Sequence, residues 1–257
     1  MLARENARFR SFPLAVQKSL ARHLHLREVK GGSEIRMQGK SRNIYFPITA
    51  IASQHAIIGN GRGAFTQFLG SNKTIGFAFE SPQYSIKLER RWCCSGYAFE
   101  ISVQRFREFL APGQETLFEK VFANIDVRRL TNRLYCAEHH CTKQRLARVL
   151  LEALDVNQND DLTGATHQKL ADLLSIRRET VSTIIGRWQE RGILQATREK
   201  LIITDRGALE CAVCSCYEET VKIDFDVDRY MSSLSWQLEK PRVVRTDLHQ
   251  TPAHAPA

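Results

Sequence analysis

Near Ile101 the texture of the chain changes from strand-like to helical, and that change limits the folds open to it. From Val29 to Ile101, short runs rich in β-branched and aromatic residues are separated by Gly, Asn, Ser and Pro. The runs are Ile44-Tyr45-Phe46-Pro47-Ile48, Ala56-Ile57-Ile58, Phe65-Thr66-Gln67-Phe68-Leu69, Ile75-Gly76-Phe77-Ala78-Phe79 and Tyr97-Ala98-Phe99-Glu100-Ile101. Turn signals fall between them at Gly31-Gly32, Asn60-Gly61 and Ser95-Gly96. Such residues fit a pleated, half-buried surface, and short strands at this spacing predict a β-barrel or β-roll. After Ile101 the apolar spacing becomes helical. Strands first and helices afterwards predict an α+β chain, not interleaved βαβ units.

Residues 1–28 read as an arm and one amphipathic helix with Leu14, Leu20, Leu24 and Leu26 apolar. Residues 102–110 read as a short helix. No Gly or Pro interrupts Gln114 to Glu138, where Val127, Leu130, Leu134 and Ala137 recur at spacings of 3, 4 and 3. Upstream, Phe118, Val121, Phe122 and Ile125 continue a stripe. A long helix with a heptad-like seam either pairs with a copy of itself or packs on the β part. Residues 142–155 form a further amphipathic helix, with Leu146, Val149, Leu150, Ala153 and Leu154 apolar and Lys143, Arg145, Arg148 and Glu152 polar. Residues 157–161 are a polar loop. Residues 166–217 read as two short helices, a β-hairpin and a last helix. Beyond Thr220 the chain turns polar and ends in Thr251-Pro252-Ala253-His254-Ala255-Pro256-Ala257, a composition that predicts a largely disordered tail. No apolar run approaches the roughly 18 residues of a membrane span, and Met1 to Lys30 lacks the apolar stretch of a signal peptide. A soluble cytoplasmic protein without a membrane partner is expected.

The 257 residues carry a net charge of +9. That total permits a polyanionic partner, but its distribution says more. Residues 1–110 are at +10, residues 111–139 at 0, residues 140–217 at +1 and residues 218–257 at −2. Nucleic-acid binding therefore has to be argued from local pattern.

The most informative local pattern is Thr166-His167-Gln168-Lys169-Leu170-Ala171-Asp172-Leu173-Leu174-Ser175-Ile176-Arg177-Arg178-Glu179-Thr180-Val181-Ser182-Thr183-Ile184-Ile185-Gly186-Arg187-Trp188. Thr166 is a favourable N-cap. Leu170, Leu173 and Leu174 share one face, and Ala171 is small where a second helix must approach. Ser175-Ile176 supplies a turn with Ile176 between the helices. Val181, Ile184, Ile185 and Trp188 then point inward, leaving Arg177, Arg178, Glu179, Ser182 and Thr183 outward. Two helices joined by a short turn, the second with a polar beginning, suit the major groove. An Arg there donates twice to guanine O6 and N7, and a Glu accepts from cytosine N4. The plainer reading of Arg178 and Glu179 is an ordinary ion pair on a solvated face.

The stretch resembles the helix-turn-helix of the Crp/Fnr family, whose second helix characteristically begins Ser-Arg-Glu-Thr-Val. Here it reads Arg177-Arg178-Glu179-Thr180-Val181. Gly192-Ile193-Leu194 and Leu201-Ile202-Ile203-Thr204-Asp205 are similar to the family's wing hairpin, with a turn near Arg198-Glu199-Lys200. Asn132-Arg133-Leu134 and Gln144-Arg145-Leu146-Ala147-Arg148-Val149-Leu150-Leu151 are similar to the end of its dimer helix and the helix after it. Tyr45 to Thr49 and Gly96 to Ile101 resemble strands of its cyclic-nucleotide-binding-like β-roll. The resemblance spans about residues 14–210, and is specific at 166–204.

It implies four parts: a β-roll over residues 1–110, a dimerisation helix over 111–139, a winged helix-turn-helix over 140–217 and the tail over 218–257. It implies a dimeric transcription regulator on double-stranded DNA, with RNA polymerase as a further partner. Arg178 and Glu179 would read bases, with Thr183 at the third reading position and Ser182 beside it. Thr166, Gln168 and Thr180 would meet phosphates, and Arg177, standing where the family has Ser, adds a phosphate contact. Val127, Leu130, Leu134 and Ala137 would form the dimer seam. Two departures stand out. Ser175 replaces the Gly often found at the turn, and Thr183 stands where many members carry Arg.

The family's cyclic-nucleotide pocket has a Gly-Glu pair for the ribose and, further on, an Arg for the cyclic phosphate. Here Phe77 follows Gly76, and no Arg lies between Ile75 and Ile86. A buried phosphate without a cation is costly, so cyclic AMP is not the expected effector. The sequence names no cofactor. The iron–sulfur branch has cysteines near the N-terminus, whereas the first of the seven here is Cys93. An odd number in a reducing compartment does not suggest a disulfide framework. Cys211, Cys214 and Cys216 read as buried thiols on a last helix, since a zinc site would need a fourth ligand. His139-His140-Cys141 reads as a cap or polar corner, and no metal ligand is assigned. No Ser-His-Asp spacing, H-E-x-x-H, P-loop or Gly-rich nucleotide loop occurs, so catalysis is not expected. The alternative is a ligand-gated protein-interaction module whose helix-turn-helix no longer binds DNA, a reading favoured by the near-neutral charge of residues 140–217.

Overall fold

A computed structural model describes residues 2–36, 42–58, 62–77, 87–157, 161–197 and 200–236. In chain order these form α1 (Ala7–Arg10), α2 (Leu14–Leu20), β1 (His25–Val29), β2 (Asn43–Pro47), β3 (Ile51–Ile58), β4 (Arg62–Leu69), β5 (Lys87–Cys94), β6 (Gly96–Ser102), α3 (Val103–Arg107), α4 (Gln114–His139) and α5 (Thr142–Val156). There follow β7 (Asp161–Thr163), α6 (His167–Leu174), α7 (Arg178–Glu190), β8 (Leu194–Ala196), β9 (Lys200–Ile203), α8 (Arg206–Ala212) and α9 (Cys216–Ser233). The α+β order expected from the texture change holds.

Six strands make two antiparallel sheets, β1-β6-β2 and β4-β3-β5. Side-chain alternation on β2 buries Ile44 and Phe46 and leaves Tyr45 half-buried. Val29, Ala50, Ala52, Leu69, Ile75, Trp92 and Ala98 cluster within the roll. A second cluster, rich in phenylalanine, joins the roll to its helices. Phe77 lies 5.2 Å from Phe118 and 5.0 Å from Phe122 of α4, ring centre to ring centre, both edge-on. Aromatic quadrupoles favour that geometry over face-to-face stacking. Asn6 caps α1 by accepting from Phe9 N at 3.0 Å, while its Nδ2 donates to Pro47 O and Lys73 O at 2.8 Å each. One buried amide thus fixes the first helix to the roll.

Residues 1–28 differ from expectation. They form two short helices and then strand β1, which pairs with β6 through Leu26 and Phe99. Strand β5 was also not foreseen, because Lys87, Glu89, Arg90 and Arg91 mask its alternation. Of the run Ile75 to Phe79, Ile75 makes an isolated bridge to Tyr45, and Ala78 and Phe79 lie outside the described residues. Asn60-Gly61 also lies outside them.

Helix α4 packs on the rest of the chain along one face and leaves much of the expected seam uncovered. Phe118, Phe122, Ile125, Arg129, Asn132 and Cys136 recur at spacings of 4, 3, 4, 3 and 4 and are buried against the rest of the chain. On another face Val127 and Leu134 are 50% and 60% exposed, Ala137 is exposed and Leu130 is half-buried.

The disordered tail expected from residue 218 onward does not begin there. Residues 216–233 form α9, whose Thr220, Ile223, Val227 and Met231 are buried. It runs antiparallel to α4: Asn132 reaches Thr220, Arg129 reaches Asp224, and Phe122 reaches Tyr230. The acidic residues that made this segment look disordered, Asp224 and Asp228, are instead paired with Arg8, Lys73 and Arg129. Residues 237–257 lie outside the described residues.

Candidate nucleic-acid interface

The C-terminal unit is built on α5, whose buried face carries Leu146, Val149, Leu150, Leu151 and Leu154. Against it pack α6, α7, α8 and a three-stranded sheet of order β7-β9-β8. Strand β7, not foreseen, pairs Leu162 with Leu201 and closes the hairpin on its far side. The hairpin tip at Arg198-Glu199 lies outside the described residues.

Thr166 caps α6, its Oγ1 accepting from Lys169 N at 3.2 Å. The helix ends at Ser175, which adopts the left-handed conformation with φ +53°. Ile176 N donates back to Ala171 O at 3.0 Å, closing a Schellman turn. Ala171 is wholly buried and Ile176 half-buried. Helix α7 then starts with Arg177 as its N-cap. Val181, Ile185 and Trp188 anchor its inner face, each no more than 1% exposed.

Arg177, Arg178, Glu179, Thr180 and Thr183 are all exposed. Among the described residues, Arg178 and Glu179 form no ion pair with each other or with a neighbour. The plain Arg–Glu pair is therefore absent from this face. Thr183 Oγ1 donates to Glu179 O at 2.9 Å, which leaves its oxygen free to accept. Ser182 differs from the other outward residues. It is half-buried, and its Oγ lies 2.9 Å from His167 Nδ1, linking α7 to α6. Burial and the nearby Arg178 charge hold the His167 imidazole below its ordinary pKa. His167 had no sequence signal beyond its place one residue after the cap. Gln168 is exposed, and its Nε2 donates to Asp172 at 2.8 Å. Arg145 of α5 donates to Leu174 O at 2.9 Å, satisfying a carbonyl at the end of α6.

The unit is tied to α4 by charge as well as by apolar contact. Arg148 and Glu152, read as the polar face of α5, are buried because α9 covers them. Arg148 Nε donates to Glu152 Oε1 at 2.8 Å, and its other nitrogens donate to Asn132 O at 3.2 Å and Thr220 Oγ1 at 2.9 Å. Arg133 of α4 pairs with the other oxygen of Glu152. Burial pushes Arg133 down to about 10, with the Glu152 charge opposing the shift. The spacing of Arg148 and Glu152 by four residues was the available sequence signal for this pair.

A β-roll, a long helix beside it and a helix-turn-helix with a flanking hairpin define a two-part fold that ends in a winged helix. Residues 144–212 match the family described as the Crp-like helix-turn-helix domain. The chain is similar in structure to a Crp/Fnr-family regulator from Eubacterium rectale ATCC 33656, with a TM-score of 0.57, 16% identity, and coverage of 81% of this chain and 98% of that one. It is similar to FixK2 from Bradyrhizobium japonicum, with a TM-score of 0.57, 15% identity, and coverage of 74% and 98%. It is also similar to a CRP-family transcriptional regulator from Thermus thermophilus, with a TM-score of 0.53, 14% identity, and coverage of 72% and 95%. No curated protein matches the sequence. The chain carries a Crp-like helix-turn-helix domain within the Crp/Fnr regulator fold. No helix among the described residues is long and apolar enough to cross a membrane.

Proposed function

We propose that the chain is a cytoplasmic, sequence-specific DNA-binding transcription regulator that acts as a homodimer on a two-fold related site. The observation that carries this reading is the outer face of α7. It offers an arginine and a glutamate without intramolecular ion-pair partners, Arg178 and Glu179, on a helix whose other face is locked by Trp188. An unpaired carboxylate among phosphates is repelled, so Glu179 on this face suits a base edge better than a backbone contact. Arg178 and Glu179 read bases, with Thr183 beside them. Arg177, Thr180, Thr166 and Gln168 meet phosphates and set the register. Ser182 serves mainly to hold the two helices through His167.

The uncovered seam Val127, Leu130, Leu134 and Ala137 pairs with its copy in a second chain. Half-sites then fall about one helical turn apart. A cyclic nucleotide is not the effector in this reading. The residues 78–86 on which that inference partly rests lie outside the described residues. Independent support comes from the cavity between the roll and α4, where Arg8, Lys73 and Arg129 already meet Asp224. An anion entering there would have to displace that carboxylate or compete with Asp126 and Gln54 for Arg90.

Selection of sites from a random duplex pool tests the reading. The wild type enriches a two-fold related sequence. Arg178→Ala weakens binding to it by about 1–3 kcal/mol and relaxes the choice at one position per half-site. An unchanged base preference overturns the role of Arg178. A wild type that retains no DNA favours the interaction-module alternative.

A further inference from the structure

Four soft donors from distant parts of the sequence meet at the C-terminal end of α4. Cys136 lies in the last turn of α4, and His140 is the residue that caps that helix. Cys214 and Cys216 flank the junction between α8 and α9. The ligand atoms of all four lie within 4.8 Å of one another. Cys136 Sγ is 3.6 Å from Cys214 Sγ, and Cys216 Sγ is 3.5 Å from His140 Nδ1. The three cysteines are 3–4% exposed and form a cluster of their own.

We propose that Cys136, His140, Cys214 and Cys216 bind one zinc ion in a closed tetrahedral site. Zinc bonds thiolate at about 2.3 Å and imidazole at about 2.0–2.1 Å, so the edges of such a tetrahedron are about 3.8 Å between sulfurs and about 3.5 Å between sulfur and nitrogen. Both measured edges fit those values. A disulfide between Cys136 and Cys214 would need contact at about 2.05 Å. An iron–sulfur cluster spreads its protein ligands over two or more irons, so some of its donor pairs must lie further apart than around a single ion. Three thiolates around a divalent ion leave one negative charge, and the buried guanidinium of Arg148, which donates to Asn132 O and Thr220 Oγ1 beside the cluster, helps to balance it. All four positions are taken by protein, which leaves none for water and makes the site structural.

The set corrects the sequence reading in two ways. Cys211 is exposed, not a buried thiol, and takes no part. The missing ligands come from Cys136 of α4 and from His140, which caps that helix and reads in the sequence as a polar corner. The site fastens the end of the proposed dimer helix to the start of α9. It therefore fixes the place from which the helix-turn-helix is held.

The test is metal analysis of the full-length protein by inductively coupled plasma mass spectrometry after gel filtration. About one zinc per chain is expected for the wild type and for Cys211→Ser, and loss of nearly all of it for Cys214→Ser and His140→Ala. Because a ligand variant can misfold, the wild type is also stripped of metal and titrated with cobalt(II). A visible spectrum of tetrahedral thiolate-bound cobalt, displaced by an equivalent of zinc, supports the site. Wild type that takes up neither metal overturns it. So does a Cys211→Ser protein that loses zinc, or anaerobically prepared protein that holds iron and sulfide instead.

Discussion

Arg8 Nη1 and Asp228 Oδ1 lie 2.6 Å apart, although 220 residues separate them in the chain. The first helix and the last described helix thus close one core around α4. The Asp228 side chain is 45% exposed, so the pair itself contributes little. The apolar side chains behind it decide the docking. Ile223 is wholly buried among aromatic residues. Ile223→Ala is expected to cost about 2–5 kcal/mol in urea unfolding, against under about 1 kcal/mol for Asp228→Asn. The reverse order would mean that charge, not apolar burial, holds α9.

Asp224 makes the same docking sensitive to acid. It faces Arg129 of α4, Lys73 after β4, Arg8 of α1 and, on its own helix, Asp228. Burial alone would raise its pKa, but the cations win, Arg129 foremost, and hold it at about 2. The unfolded chain takes up this proton near the ordinary value of 3.8, and the folded chain only near 2. Between those values the unfolded state binds more protons, so stability falls as pH falls. The contribution, on the order of 2 kcal/mol, is fully present above about pH 4 and lost by about pH 2. Chemical unfolding of the wild type and of Asp224→Asn from pH 6 to pH 2 checks it. The two stability curves should converge toward acid. Parallel curves would show that the ion pairs contribute nothing.

The order of strands and helices, α4 to within one residue and the whole of α6 and α7 could be read from apolar spacing, because those elements have one buried and one solvated face. The failures share a cause. Strand β5 carries Lys87, Glu89, Arg90 and Arg91, and α9 carries Asp224, Asp226 and Asp228; both look solvated by composition. In the fold Arg90 and Asp224 find buried partners, Gln54 and Arg129. Burial by polar pairing blurs the period: Ile223, Val227 and Met231 recur at helical spacing on α9, but the acidic residues between them mask it. Missing α9 then misplaced Arg148 and Glu152, which are solvent-facing only if nothing covers them. The outward residues of α7 were found because they depend on local spacing alone. Ser182 was not resolved from them, since its partner His167 sits on another helix.

Ser175 and Gly192 offer an internal comparison. Each follows a helix of the helix-turn-helix unit and lies in the left-handed region, with φ +53° and +69°. Each is followed by a residue whose N–H closes the same turn, Ile176 onto Ala171 and Ile193 onto Trp188. Ser175 is the only non-glycine residue with positive φ among the described residues. The left-handed conformation costs an L-residue about 1–2 kcal/mol, and glycine avoids it at an entropic cost of about 0.5–1 kcal/mol. Ser175→Gly should therefore stabilise the protein by about 0.5–1 kcal/mol without altering DNA preference. A lower melting temperature would show that the serine side chain stabilises the turn by more than the strain it bears.

The exposed face of α4 proposed as the dimer seam allows assembly to be tested apart from folding. Leu134 is 60% exposed and Val127 50%, so a charge at either should change the stability of the single chain by less than about 0.5 kcal/mol. In a paired helix the same change buries a carboxylate opposite its own copy, where like charges and lost hydration both oppose association. Leu134→Glu is expected to give a folded monomer by light scattering, with the circular dichroism of the wild type. Binding to a two-fold site should fall far more than binding to an isolated half-site, because the second helix-turn-helix is no longer held at a fixed distance. A variant that remains dimeric would place the interface on another surface. A variant that is monomeric yet binds the two-fold site undiminished would show that DNA reading does not depend on this seam.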